Sequence, residues 1–165
     1  MTELALPKID KDTISRKDQI VSHLKKFTKD ENILSENEEI KPYETDGLAA
    51  YKQTPLAVVL PENTKEVSEI LKFCNQENIK VIPRGAGTGL SGGALPLQDA
   101  ILLGLGKFNK ILEIDFENKC VVTQPGVTNL GITHAVQHKG YYYAPDPSSQ
   151  LACSIGGNVA ENSGG

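Results

Sequence analysis

Between Ile82 and Pro96 this chain has no room for a helix. Arg84-Gly-Ala-Gly-Thr-Gly-Leu-Ser-Gly-Gly93 places five glycines and one cation within ten residues, and Pro96 follows closely. In a helix interior a glycine costs ~1 kcal/mol and a proline ~3 kcal/mol relative to alanine. The stretch is therefore a loop, which decides between two readings. Gly87-Thr-Gly89-Leu-Ser-Gly92 satisfies G-x-G-x-x-G, but a Rossmann site needs a helix that starts inside the motif and receives the pyrophosphate on its N-terminus. Gly93 and Pro96 forbid that helix. Glu113 lies about twenty residues on, where a ribose-binding carboxylate would stand, but acidic residues are common at any offset and cannot restore the motif. A Walker A loop is excluded as well, because no Gly-Lys-Ser/Thr follows. What remains is a loop whose glycines let successive N–H groups turn toward one concavity, a nest for phosphate oxygens, with the Thr88 and Ser91 hydroxyls as further donors. Simple chain reversal would need fewer glycines.

The flanks supply strands. Ala57-Val-Val-Leu60 reads as a short buried strand, and Asn63 and Glu66 have capping-box spacing. Val67, Ile70, Leu71 and Cys74 then recur at helical spacing, with the helix ending over residues 75–78. Ile79-Lys-Val-Ile82 is the next strand. Strand-helix-strand units of this kind pair their strands in parallel through a right-handed crossover. After the loop, Ala100-Ile-Leu-Leu103 reads as a buried strand, while Ile111-Leu-Glu-Ile114 and Cys120-Val-Val-Thr123 are strands joined by a turn. Thr128 or Asn129 caps a helix that closes at Gly140, and another helix starts at Gly156-Gly-Asn158. Near the N-terminus Ile20, Val21, Leu24 and Phe27 mark one face of an amphipathic helix, a packing element without chemistry. The class is α+β, a mixed parallel/antiparallel sheet with flanking helices. Residues 1–50 read as an N-terminal helical extension and residues 51–165 as the main domain.

Charge divides the chain sharply. The first 46 residues hold 19 of the 38 Asp, Glu, Lys and Arg, whereas residues 121–160 contain only Lys139 and Asp146; the second region is expected to be buried or covered. A net charge of -4 lacks the basic footprint of a nucleic-acid binder. The charged N-terminus has no signal-peptide core, and the longest apolar run, residues 101–105, is far below the ~20 residues of a membrane span. A cytoplasmic location is the default. Cys74, Cys120 and Cys153 are widely separated and lack a C-x-x-C pair, so they read as reduced thiols.

Three motifs in order carry a resemblance: residues 83–93, Pro145-Asp-Pro-Ser-Ser149, and Cys153-Ser-Ile-Gly-Gly-Asn158 running on to Gly165. Over roughly residues 44–165 the chain resembles the FAD-binding (PCMH-type) domain of the vanillyl-alcohol oxidase / p-cresol methylhydroxylase family, and within it the group of bacterial glycolate oxidase FAD subunits and D-lactate dehydrogenases. The resemblance implies that Arg84, Gly85, Ala86, Gly87, Thr88, Gly89, Leu90, Ser91 and Gly92 wrap the FAD pyrophosphate. It also implies that Pro145, Asp146, Pro147, Ser148 and Ser149 border the ribityl chain and flavin ring, together with Ser154, Gly156, Gly157, Asn158, Asn162, Ser163 and Gly164. Both glycine-rich segments lie in charge-poor surroundings suited to a large, mostly apolar cofactor.

Some members attach FAD through a histidine near the first loop; here Gly92-Gly93 stand there, which favours non-covalent FAD. The family continues for several hundred residues, through a cap domain that holds the hydroxy acid, so the chain reads as an N-terminal fragment whose catalytic residues lie beyond residue 165. The implied reaction is oxidation of a 2-hydroxy acid, glycolate or D-lactate, to the 2-oxo acid, with partner subunits of an oxidase complex as further associates. The fragment alone is expected neither to retain FAD tightly nor to turn over. A non-catalytic nucleotide- or phosphate-binding remnant and an FAD-dependent alditol or sugar oxidase remain alternatives.

Other residues have simpler readings. His134 and His138 lie at i, i+4 but lack a third ligand and the glutamate of a zinc motif, so no metal site is assigned. Asp146 between two prolines caps a turn, Cys153 packs, Tyr141-Tyr-Tyr143 belongs to a core or domain interface, and Glu36, Glu38 and Glu39 form a solvated face.

Overall fold

The computed structural model describes residues 7–165. Its centre is a four-stranded sheet of β1 (Ile33–Leu34), β2 (Ala57–Val59), β3 (Lys80–Arg84) and β4 (Ala100–Gly104), in the order β1-β2-β4-β3. β4 lies parallel to both β2 and β3, with Leu102 opposite Val58 on one side and Ile82 on the other. β1 runs antiparallel to β2. The strand-helix-strand unit is thus present, but β4 comes in between its two strands. β4 is a run of four apolar residues, Ala100-Ile-Leu-Leu103, buried on both faces, the pattern of a central parallel strand.

Two layers cover this sheet. On one face Ala57, Val59, Ile101 and Leu103 pack with Ile20 and Leu24 of α2 (Lys17–Leu24) and with Ile70, Phe73 and Cys74 of α4 (Thr64–Gln76). On the other, Val58 and Leu102 meet Ile40 of α3 (Asn37–Ile40), with Leu34, Tyr43 and Leu60 around them. Alternate strand residues serve opposite layers because successive Cβ atoms point to opposite faces. Residues before 50 thus supply a strand and part of both layers; the change of texture there is not an edge of the core.

Asn63 caps α4 by accepting from the Glu66 amide at 3.0 Å, and Glu66 in return accepts from the Glu62 amide at 2.9 Å. One expected core residue of α4 changes place: Leu71 is exposed and Phe73 is buried, stacked on His23 at 4.3 Å between centroids. The buried face is centred on Ile70, Phe73 and Cys74, and at about 100° per residue position 71 lies more than a quarter turn from that centre.

Asp99 anchors the start of β4. Its buried carboxylate takes the Lys80 ammonium at 2.6 Å and the Asp10 amide at 2.6 Å, tying the entry to α1 (Lys11–Ser15) to the sheet. Burial opposes the charge, but Lys80 and the amide outweigh it, and the carboxyl pKa lies below its ordinary value. A second polar hub closes the opposite end of the sheet. Glu62 accepts from Lys29 at 3.0 Å, Asn32 at 3.2 Å and Lys107 at 3.3 Å, and these donors hold its pKa at about 2.

Beyond β4, the hairpin β5 (Ile111–Asp115) and β6 (Cys120–Thr123) forms a separate antiparallel pair. α5 (Asn129–Val136) starts at the Thr128 cap, and its 3-10 extension ends at left-handed Gly140. α6 (Ile155–Glu161) comes last. The charge-poor region is less covered than its composition suggests: Tyr142 is 73% exposed, Leu151 77% and Val159 75%. Tyr141 and Tyr142 are surface residues, and with Tyr143 they line an apolar cavity of about 350 Å³ beside the hairpin. No helix among the described residues is long and apolar enough to cross a membrane.

Candidate functional site

The glycine loop leaves the C-terminal end of β3, where Arg84 still pairs with Gly104 and its carbonyl accepts from Leu105 N at 2.9 Å. Residues 85–99 contain no helix. Gly87 and Gly92 have φ of +71° and +78°, a region that disfavours any residue with a Cβ. Among the described residues, none of the ten amides of residues 85–94 donates to another protein group. So long a run of unbonded N–H groups is unusual in a folded chain and marks where an anion can be held.

The facing wall is built from the C-terminal segment. Residues 147–150 form a turn closed by Gln150 N to Pro147 O at 2.8 Å, and the Cys153 amide donates to Ser149 O at 2.8 Å. Asp146 is exposed and its carboxylate accepts no hydrogen bond among the described residues, so the turn is made by the backbone and not by the aspartate cap expected from sequence. α6 is docked through its first turn: Ile155 N donates to Val127 O and Gly156 N to Pro125 O, both at 2.8 Å. A Cβ on Gly156 would lie 2.5 Å from Pro125 Cβ, which is why glycine stands there. Asn129 and Asn158 lock the rest. Asn158 Nδ2 donates to Asn129 Oδ1 and to Cys153 Sγ, while Asn129 Nδ2 donates to Pro145 O at 3.0 Å.

Between the walls lies a cleft of about 620 Å³. It brings together Arg84, Gly85, Ala86, Gly87, Thr88, Gly89, Leu90 and Ser91 with Pro147, Ser148, Ser149, Ser154, Gly156, Gly157, Asn158 and Ser163. Gly92, Pro145, Asp146, Asn162 and Gly164 are outside its lining, whereas Cys153, Ala160 and Glu161 of the third motif belong to it, and so do Ala94, Leu105 and Pro125, which no motif names. Pro125 could have been suspected from Pro125-Gly126, a turn that follows a strand; Ala94 and Leu105 carry no local signal. Asn162, with φ +53°, terminates α6.

The charge in this cleft is not where the sequence suggests. The Arg84 guanidinium donates to Thr45 O at 2.7 Å and Tyr43 O at 3.3 Å, and it lies 5.7 Å from the Tyr43 ring centroid. Burial lowers its pKa and the nearby Asp46 charge partly restores it. Backbone amides and the hydroxyls of Thr88, Ser91, Ser148, Ser149 and Ser154 are left to meet an anion. Ser154 Oγ is buried without a hydrogen-bond partner and lies 2.3 Å from where a Cβ on Gly85 would be. An alanine at 85 would turn the Ser154 hydroxyl out of this position. A dinucleotide diphosphate fits this wall, since its oxygens are acceptors and the unbonded groups can donate.

A family model described as FAD binding domain matches residues 55–165. The chain belongs to the FAD binding domain family. FAD is accordingly the cofactor of this chain, and its fold is the PCMH-type one. The glycolate oxidase subunit GlcD of Escherichia coli strain K12 is 50% identical over 161 residues, covering 98% of this chain and 31% of the relative. D-lactate dehydrogenase of Anaerostipes hadrus is 41% identical over 73% of the chain and 25% of the relative. Mitochondrial D-2-hydroxyglutarate dehydrogenase of Arabidopsis thaliana is 34% identical over 88% and 26%. The chain therefore spans about a third or less of these relatives' lengths. In fold it matches p-cresol methylhydroxylase with substrate bound, at TM-score 0.75 and 23% identity over 88% of this chain and 29% of that one. It also matches alkyldihydroxyacetonephosphate synthase, at TM-score 0.77 and 21% identity over 99% and 32%.

Proposed function

We propose that this FAD-binding chain serves an oxidoreductase that converts a 2-hydroxy acid, glycolate or D-lactate, to its 2-oxo acid. The observation that carries the reading is the run of unbonded amides at residues 85–94 facing the Ser149 to Ser154 wall, in a chain whose relatives are named for hydroxy-acid oxidation. When bound, the flavin supplies the two-electron acceptor for a hydride from the substrate α-carbon. The residues of this chain bind and orient. The amides and hydroxyls of residues 85–91 hold the diphosphate, Ser148, Ser149, Ser154, Gly156 and Gly157 border the remainder, and the Asn129–Asn158 pair ties α6 to α5 within the second wall. The small side chains Gly85, Ala86 and Gly87 let a ligand approach the backbone closely.

Attachment is non-covalent in this reading, because no histidine lines the cleft among the described residues. A cytoplasmic location fits the sequence, and association with other subunits fits a relative that is itself named a subunit. The test uses the full gene product. Purified protein is expected to carry FAD that is released into the supernatant on acid precipitation, and to reduce an artificial electron acceptor with glycolate or D-lactate. Flavin that stays with the precipitate would refute non-covalent attachment. Turnover with D-2-hydroxyglutarate alone would move the substrate assignment to that acid.

A further inference from the structure

Arg84 and the segment Tyr43 to Leu48 are more closely joined than their separation in sequence suggests. The guanidinium bonds two successive-but-one carbonyls of that segment, Tyr43 O and Thr45 O, and lies over the Tyr43 ring. On its other side it fills the space a Cβ on Gly87 would occupy, 2.4 Å from Nη2 and 2.6 Å from Nε. The loop therefore wraps around the cation. Contact continues one residue further on, where a Cβ on Gly47 would lie 2.6 Å from Thr88 O and 2.7 Å from Gly89 O. Asp46 between them is buried; its Oδ1 accepts from Leu48 N at 2.9 Å and its Oδ2 has no hydrogen-bond partner.

We propose that Arg84 is a positioning residue that clamps the diphosphate loop to residues 43–48, and that it does not itself contact the cofactor. This rests on the FAD reading of the cleft. Nη1 is taken by both carbonyls, and Nη2 and Nε lie against the inside of the loop at Gly87, so reaching a phosphate would pull the guanidinium out of the loop and off the aromatic face. Held where it is, the cation fixes the loop's curvature, and the anion is bound by neutral donors. The back wall of the site thus comes from residues that precede the family match at 55–165. A lysine cannot substitute, because an ammonium placed at Nη1 to reach the two carbonyls would neither fill the inside of the loop at Gly87 nor offer a planar face to the Tyr43 ring.

The experiment is a double-mutant cycle of Arg84→Ala and Gly87→Ala in the full gene product, read by thermal unfolding of the apoprotein and by FAD titration. Arg84→Ala is expected to lower the unfolding midpoint and weaken FAD binding about tenfold or more, as for lost hydrogen bonds to a charged group. Gly87→Ala should lower the midpoint less in the Arg84→Ala background than alone, because the steric collision is gone and only the positive φ remains. Additive effects would overturn the clamp. Salt gives an independent reading: the ionic-strength dependence of FAD affinity should be the same with and without Arg84, and a flatter dependence in Arg84→Ala would show a direct ion pair with phosphate. Arg84→Lys should behave like Arg84→Ala; restored FAD affinity would overturn the proposal. If unaltered protein binds no FAD, the reading of the cleft falls, while the apoprotein cycle still decides the clamp.

Discussion

Residues 7–104 and 105–165 are held together in different ways, and the cleft opens where they meet. In the first region Val58, Val59, Ile101 and Leu102 are fully buried between two layers of helix, so one side of the site stands on a closed apolar core. The second region has few buried apolar side chains, among them Phe108, Val127, Ile132 and Val136, and it turns Leu112, Tyr142, Leu151 and Val159 outward. What fixes it is close backbone approach and buried amides: Gly156 on Pro125, Gly126 on Leu105 O and Phe108 O, and Asn158 on Asn129. The glycine loop is thus anchored on a rigid sheet end, while the wall opposite it is a set of segments with less apolar burial and lower expected local stability.

The largest test of that contrast is truncation of the central strand. Leu102→Ala should destabilise the protein by ~3 kcal/mol, the usual cost of a large-to-small change at a fully buried site that cannot collapse. The matched change in the second region, Val122→Ala on the half-exposed edge of β6, should cost under ~0.5 kcal/mol. Denaturant midpoints measure both. Equal losses would mean that the hairpin shares the sheet's core and that the two regions are one.

Next in size is the asparagine pair. Asn158→Ala leaves Asn129 Oδ1 buried without its donor, which should cost ~2 kcal/mol. The same change should raise amide exchange over residues 145–161 and leave β2 and β4 as protected as before. Faster exchange in the central sheet would show that the second wall supports the first, which the comparison denies.

How much of this could be seen in the sequence depends on how local each cause is. The Asn63 cap, the helix it starts, left-handed Gly140 and the helix-free glycine loop are consequences of neighbouring residues, and all are found as expected. The insertion of β4 between β2 and β3 is not local: nothing within residues 57–84 says which strand will lie between its ends. Phe73 in place of Leu71 is a difference of helix rotation that a list of apolar positions underdetermines. The low charge of residues 121–160 signals a surface that does not need solvation by charge, and it was a poor guide to burial within this chain. At the site, the first loop was legible from glycine content and the Ser149 to Gly157 wall from the resemblance its motifs carry. The Asn129–Asn158 lock and the Arg84 partners were not, since hydrogen bonds that span 29 and 39 to 41 residues leave no periodic trace.

A smaller effect separates the two ends of the sheet from the cleft. Glu62 is held at about 2 from an ordinary 4.5 by Lys29, Asn32 and Lys107. A depressed carboxylate pKa stabilises the fold above the unfolded value and loses that contribution as pH falls from about 4.5 through about 2. Glu62→Gln should therefore flatten the dependence of the unfolding midpoint on pH in that window and leave it unchanged near neutrality apart from a constant offset. An unaltered slope would show that the hub is loosened in solution and that the first region depends on its apolar layers alone.

The smallest expected change comes from the most exposed part of the second region. Leu151 and Val159 are 77% and 75% exposed, so replacing both by serine removes little buried area and should alter stability by under ~0.5 kcal/mol. In a domain of this size that is a shift of about 1–2 °C in the unfolding midpoint. The substitutions lie close to the cleft but outside its lining, so FAD affinity should also be kept. A loss approaching that of Leu102→Ala would require these side chains to be buried in the folded protein, against a surface other than those described above. The cleft's second wall would then owe its position to apolar burial after all, and the contrast between a packed wall and a polar-locked wall would fail where it is drawn most sharply.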